Sequence, residues 1–192
     1  MSGSEARKAD NLKGRGDEGE IRGLNIGQVH GFQAILGNVQ QDQGEEDGME
    51  IDRDLIHLRI DLIEKNLKLL EEIASEGYKS FEKSYRDIMA SKHALLESIE
   101  ACLDIANHII AVKGFRRPMD YSDIFRILEE EGIIDEDLSL RLQRMAKFRN
   151  LLVHRYAEIE TRKLFSIMIK DVRDLMEFVK VILRVIREQK SR

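Results

Sequence analysis

TRKLFSIMIKDVRDLMEFVKVILRVIREQ, residues 161–189, is the stretch that decides the fold class. Its apolar residues Phe165, Met168, Val172, Leu175, Val179, Ile182 and Ile186 recur in alternating steps of three and four. A seam of that period is one face of a helix and cannot be one face of a strand. Working back toward the N-terminus, the same reading repeats. Residues 52–74 carry Leu55, Ile56, Leu62, Ile63, Leu67 and Leu70 at helical spacing, up to a break at Ser75-Glu76-Gly77. Residues 78–112 read as one long helix with its seam at Ile88, Leu95, Ile99, Cys102, Ala106 and Ile109. Gly114 closes that helix and Pro118 prevents its continuation. A short helix is predicted over residues 122–131, capped by Asp120 or Ser122 and ended by Gly132. Another runs from about Asp135 to Val153 or Tyr156. No segment alternates with period two and no internal repeat is present, so the expectation is an all-α antiparallel bundle of four to five helices. Leu96, Leu103 and Ile110 widen the apolar face of the second helix. That surplus fits internal packing or a dimer surface.

The composition changes near residue 48. Ten of the 13 glycines fall in residues 1–48, and this stretch holds few apolar residues. It can bury little surface, so residues 1–48 are expected to be largely disordered, and residues 49–192 to form the helical domain. One reading makes Met49 the natural start and residues 1–48 an extension or a misassigned start. The opposing reading is a regulatory tail. Net charge is −5 but uneven: residues 141–192 hold 14 Lys/Arg against 6 Asp/Glu. A basic face there attracts polyanions; the plainer reading is solvated charge on a helix. The lone Cys102 excludes an internal disulfide and reads as a buried thiol. No apolar run is long enough for a membrane span, and the first residues lack the apolar core of a signal peptide, so a cytoplasmic location is expected.

The chemistry concentrates in Arg149-Asn150-Leu151-Leu152-Val153-His154-Arg155-Tyr156. An arginine holds a phosphate with a charge it cannot lose, and a histidine moves protons near neutral pH. RNA brings its own nucleophile, the 2′-hydroxyl. Arg149 and Tyr156, seven residues apart, would share a face of a continuous helix to within about 20°, whereas His154 lies about 140° from Arg149. Arg149 and His154 therefore cannot reach one phosphate from one regular helix. Either the helix ends near His154 or two subunits bring their clusters together; the expectation combines helix termination with dimerisation. The structural alternative is that the cluster caps a helix end, with Arg149 paired to a core carboxylate such as Asp104. His57 and His93 read as ordinary helix-face residues, and His108 follows Asn107 in a half-buried helix. No metal-ligand spacing, phosphate-cradling glycine loop or serine nucleophile elbow is present in the sequence.

The spacing Arg149-x4-His154-x-Tyr156 resembles the R-x4-6-H motif of HEPN domains (higher eukaryotes and prokaryotes nucleotide-binding). More narrowly, it resembles the R-x4-H-x-Y form of the HepT toxin family. Residues Ala101 to Ile110, Tyr121 to Phe125 and Met145 to Asn150 are similar to that family in the same order, so the resemblance spans Met49 to the C-terminus. It implies a homodimeric helical bundle and a metal-independent endoribonuclease, the toxin of a toxin–antitoxin module, with no cofactor. Arg149 would hold the scissile phosphate and His154 would serve 2′-hydroxyl attack as general acid/base. Asn150 and Asp104 would support them. The implied partners are an RNA substrate and a minimal nucleotidyltransferase antitoxin that silences the toxin by transferring AMP to Tyr156. The added phosphate charge beside Arg149 would compete with RNA. Two other readings stand beside this one: a non-catalytic HEPN protein that binds nucleotides or a partner, and a plain helical dimerisation module whose cluster is structural. Loss of activity without loss of fold in Arg149→Ala and His154→Ala separates the first from the second; loss of stability points to the third.

Overall fold

In the computed structural model, residues 50–155 and 158–189 are described, and every described element is helical. They belong to one unit, Asp47–Arg192. The expectations for residues 1–48 and for Tyr156 lie outside the described residues.

Four of the helices begin where the sequence supplies a side-chain oxygen to accept the first free N–H groups. The Asp52 carboxylate accepts from Leu55 N–H at 2.9 Å and opens α1 (Arg53–Ser75). Gly77, at φ 81°, turns the chain into the single turn α2 (Tyr78–Phe81). Ser84 then starts α3 (Tyr85–Lys113) by accepting from Asp87 N–H at 3.3 Å. The expected single helix over 78–112 is thus two helices. Ser84 sits in extended backbone, and its hydroxyl caps a fresh helix where the apolar pattern alone reads as continuous. At the far end Gly114 is left-handed, and Phe115 N–H reaches back to the Ile110 carbonyl at 3.0 Å.

Asp120 caps α4 (Tyr121–Glu130), accepting from Asp123 N–H at 2.8 Å, and Gly132 follows with φ 68°. Asp135 caps α5 (Glu136–His154), accepting from Leu138 N–H at 2.8 Å. The expected final helix is also divided, into α6 (Thr161–Lys170) and α7 (Val172–Gln189). The interruption is one residue, Asp171, and the seam runs through it. Phe165 and Met168 are buried before it and Leu175, Val179, Ile182 and Ile186 after it.

The central element is α3, which packs against α1, α4, α5, α6 and α7. Leu95, Ile99, Cys102, Ala106 and Ile109 are buried on its seam, and Leu103 and Ile110 are buried beside it. Of the apolar surplus, then, those two serve internal packing, while Leu96 is half-buried. Burial of Cys102 pushes its thiol pKa up, so it stays protonated. Three aromatic contacts tie the later helices to this core: Phe165 with Tyr78 and Phe81, and Phe125 with Phe178 at 5.8 Å. No described helix is long and apolar enough to cross a membrane.

Candidate active site

The site is carried by the last turns of α5. Leu138, Leu142, Met145, Ala146, Phe148 and Leu152 bury one side of that helix against the core, which fixes the rotation of the residues between them. The helix stays regular to His154, its last residue. Arg155 leaves it at φ −133°, ψ 38°, with its N–H still bonded to the Leu151 carbonyl at 2.9 Å.

Arg149 points inward across the bundle. Its Nε and Nη2 both donate to Oε1 of Glu100 on α3, at 3.1 and 2.7 Å. Its guanidinium lies over the ring of Tyr121, the first residue of α4, with Cζ 4.7 Å from the ring centre. Only 15% of the Arg149 side chain is exposed. Three helices therefore hold the guanidinium in one orientation, and its Nη1 edge takes no part in the Glu100 contact. Asp104 is not the partner of Arg149: it pairs with Arg59 of α1 at 3.0 Å. Glu100 lies one turn before Asp104 on the same face of α3, and Arg149 meets the nearer carboxylate.

Tyr121 is fixed from beneath. Arg116 donates to both oxygens of Asp123 at 2.7 and 2.8 Å and also pairs with Glu130. Met119 N–H donates to the same Asp123 carboxylate at 2.9 Å. Arg116 holds the buried Asp123 carboxyl down at about 2 despite the opposing effect of burial. This clamp ties the loop after α3 to the first turn of α4, where Tyr121 stands.

His154 is exposed at the end of α5, and Asn150, four residues earlier, is exposed on nearly the same face. Because the helix is regular between them, Arg149 and His154 project about 140° apart. Helix termination does not swing His154 back toward Arg149, since His154 is itself the last helical residue. α5 ends at His154, and the expectation that Arg149 and Tyr156 share a helix face falls on a residue outside the described ones. The other histidines among the described residues have ordinary surroundings. His93 lies 3.4 Å from Glu97, and His108 Nε2 accepts from Asp52 N–H at 2.8 Å, tying the start of α1 to α3. Among the described residues, no group of three or more His, Cys, Asp or Glu is placed to hold a metal ion.

Sequence reasoning missed Glu100 and gave Tyr121 no role in the site. The available signal for Glu100 was its position one helical turn from Asp104, within reach of the same arginine.

Comparison with known proteins adds to this geometry. A family model described as Ribonuclease HepT-like matches residues 63–182. The mRNA nuclease HepT of Shewanella oneidensis is 28% identical over 129 residues, covering 67% of this chain and 96% of that protein. A solved structure of a tri-AMPylated HEPN toxin from the same species, in complex with an MNT antitoxin, aligns with TM-score 0.64 at 28% identity, covering 68% of this chain and 97% of that one. A cytosolic protein of unknown function from Bacillus subtilis, YutE, aligns with TM-score 0.64 at 25% identity, covering 72% of this chain and 93% of that one.

Proposed function

Since the chain belongs to the Ribonuclease HepT-like family, we propose that it is the toxin of a toxin–antitoxin pair, an endoribonuclease that cuts RNA without a metal ion. The observation that carries this reading is the division of labour along α5. Arg149 is oriented by Glu100 and Tyr121, while His154 stands exposed at the helix end. Arg149 binds the non-bridging oxygens of the scissile phosphate, as a planar donor fork suits. His154 accepts the proton of the 2′-hydroxyl as that oxygen attacks phosphorus, and a protonated histidine donates to the departing 5′-oxygen. The products are a 2′,3′-cyclic phosphate and a 5′-hydroxyl.

Because Arg149 and His154 diverge by about 140° on one helix, the working site needs two copies of the chain. In the homodimer, Arg149 of one protomer acts with His154 of its partner. Asn150, on the His154 face, orients the imidazole or the substrate. Asp104, paired with Arg59, supports the site through the position of α3. By the same family reading, Tyr156 is the residue to which a minimal nucleotidyltransferase antitoxin transfers AMP, and the added phosphate blocks the RNA site. The protein acts in the cytoplasm, where its RNA substrate is.

The test uses purified, unmodified protein and labelled RNA in the presence of EDTA, with His154→Ala as the comparison and circular dichroism confirming equal folding. Cleavage by the wild type alone, leaving 2′,3′-cyclic phosphate ends, is the expected result. No cleavage by either protein on several RNAs, with Tyr156 shown unmodified by mass spectrometry, would move the assignment to a non-catalytic binding protein.

A further inference from the structure

A groove runs along the side of α5 away from Arg149, between α5 and α6. It consists of two adjoining cavities of 340 and 320 Å³, both lined by Phe148, Leu151 and Lys163. Arg144 and Lys147 line the first, and Arg155 lines the second. Arg144, Lys147 and Lys163 are all exposed. The acidic residues around them are largely engaged. Asp174 is bonded to Arg141 at 2.9 Å, and Glu158 lies 3.4 Å from Arg155. Burial raises the Asp171 pKa from its ordinary value, against the opposing charges of Arg144 and Lys170 nearby. Glu160, at the start of α6, is the remaining carboxylate in the lining. The floor is apolar, from Phe148 and Leu151.

His154 lines neither cavity, but Lys147, which lines the first, shares its face of α5. Seven residues separate Lys147 from His154, which places them on one face of α5, about 20° and 10 Å apart. Arg144 lies about 15 Å from His154 along the same axis. A stacked strand carries one phosphate per roughly 3.4 Å of its axis. These two cations thus stand about three to four nucleotides from the histidine. This is also the part of the chain with excess positive charge, 14 Lys/Arg against 6 Asp/Glu over residues 141–192.

We propose that the α5–α6 groove is the track along which a single RNA strand approaches the site, with Arg144, Lys147 and Lys163 neutralising phosphates flanking the scissile bond. The inference rests on the ribonuclease reading and adds the flanking-phosphate subsite to it. Bases or riboses lie on Leu151, and the backbone meets the three cations. Such contacts carry no sequence information, so the groove contributes affinity and register and leaves the choice of cleavage position to other residues.

The experiment measures anisotropy of a fluorescein-labelled, 2′-O-methyl single-stranded RNA oligonucleotide, which lacks the attacking hydroxyl, against full-length protein over a range of salt concentrations. Wild type is compared with the triple variant Arg144→Gln, Lys147→Gln, Lys163→Gln and with Lys68→Gln, an exposed lysine of α1. Each protein is also assayed for cleavage of unmodified RNA, and circular dichroism confirms equal folding. Three lost phosphate contacts lower the slope of log affinity against log salt by about 2. The expected result is that drop, with weaker binding at low salt and slower cleavage at sub-saturating RNA, while Lys68→Gln matches wild type. If wild type cleaves RNA but the triple variant keeps its affinity and slope, the groove assignment is overturned and the ribonuclease reading stands. If wild type neither binds nor cleaves RNA, both are overturned.

Discussion

Asp123→Asn tests whether the platform beneath Arg149 is held by a charged clamp. Asp123 is 3% exposed, takes two bonds from Arg116 and one from Met119 N–H, and has its carboxyl held at about 2. The ordinary value for the group is 3.8. A carboxyl whose folded-state pKa is depressed stabilises the fold above its unfolded pKa and loses that stabilisation as pH falls through the folded value. The window is therefore about pH 4 down to about pH 2. At 1.36 kcal/mol per pKa unit the linked stability is about 2 kcal/mol. Asparagine keeps the shape but carries no charge and does not titrate. Urea unfolding of wild type and Asp123→Asn, followed by circular dichroism at pH 7, 5, 4, 3 and 2, isolates the clamp, because the carboxylates away from Arg116 titrate alike in both proteins; Glu130, which shares Arg116, belongs to the clamp. The gap should be steady from pH 7 to 5 and shrink by about 2 kcal/mol at the lowest pH. A gap that stays constant from pH 5 to 2 would refute the reasoning, since the clamp would then act through shape alone.

Ser84→Ala removes the cap that separates α2 from α3 and should cost about 1 kcal/mol in urea unfolding; no loss would mean that the hydroxyl does not hold the break. Arg149→Lys keeps a positive charge but cannot donate from a planar fork to Glu100 and phosphate together. RNA cleavage should fall at least about tenfold with little change in melting temperature, and near-normal cleavage would show that charge alone suffices. Tyr156→Phe should leave cleavage intact and abolish AMP incorporation by the cognate nucleotidyltransferase, read by intact-mass spectrometry. Continued covalent silencing of that variant would contradict the assignment.

Helix ends were legible wherever one residue imposes them. Gly77, Gly114 and Gly132 all sit at positive φ, where other residues are strained. Asp120 and Asp135 accept the N–H bonds expected of caps. The break at Ser84 was not legible from the apolar pattern, because Phe81 and Ile88 flank it as if one seam continued. The Ser84-x-x-Asp87 cap carries the information instead. The interruption at Asp171 is hidden for a similar reason, as α6 and α7 keep one seam across it. In the site, the outward position of His154 and its divergence from Arg149 follow from 3.6-residue periodicity. The partner of Arg149 does not. Glu100 and Asp104 occupy the same face of α3 and differ only by one turn of rise, and which of them meets Arg149 depends on how α3 is set against α5 and α1. That setting comes from side chains far away in sequence.

The most direct test of the central claim is complementation between two inactive proteins. Arg149→Ala and His154→Ala are each purified, mixed, allowed to exchange protomers, and assayed for RNA cleavage with EDTA present. If the site joins Arg149 of one protomer to His154 of its partner, each mixed dimer contains one intact site, and random exchange in a two-fold dimer restores about a quarter of wild-type activity. Activity that stays at the level of the separate variants, with mixed dimers confirmed by native mass spectrometry, would contradict a site shared between two copies.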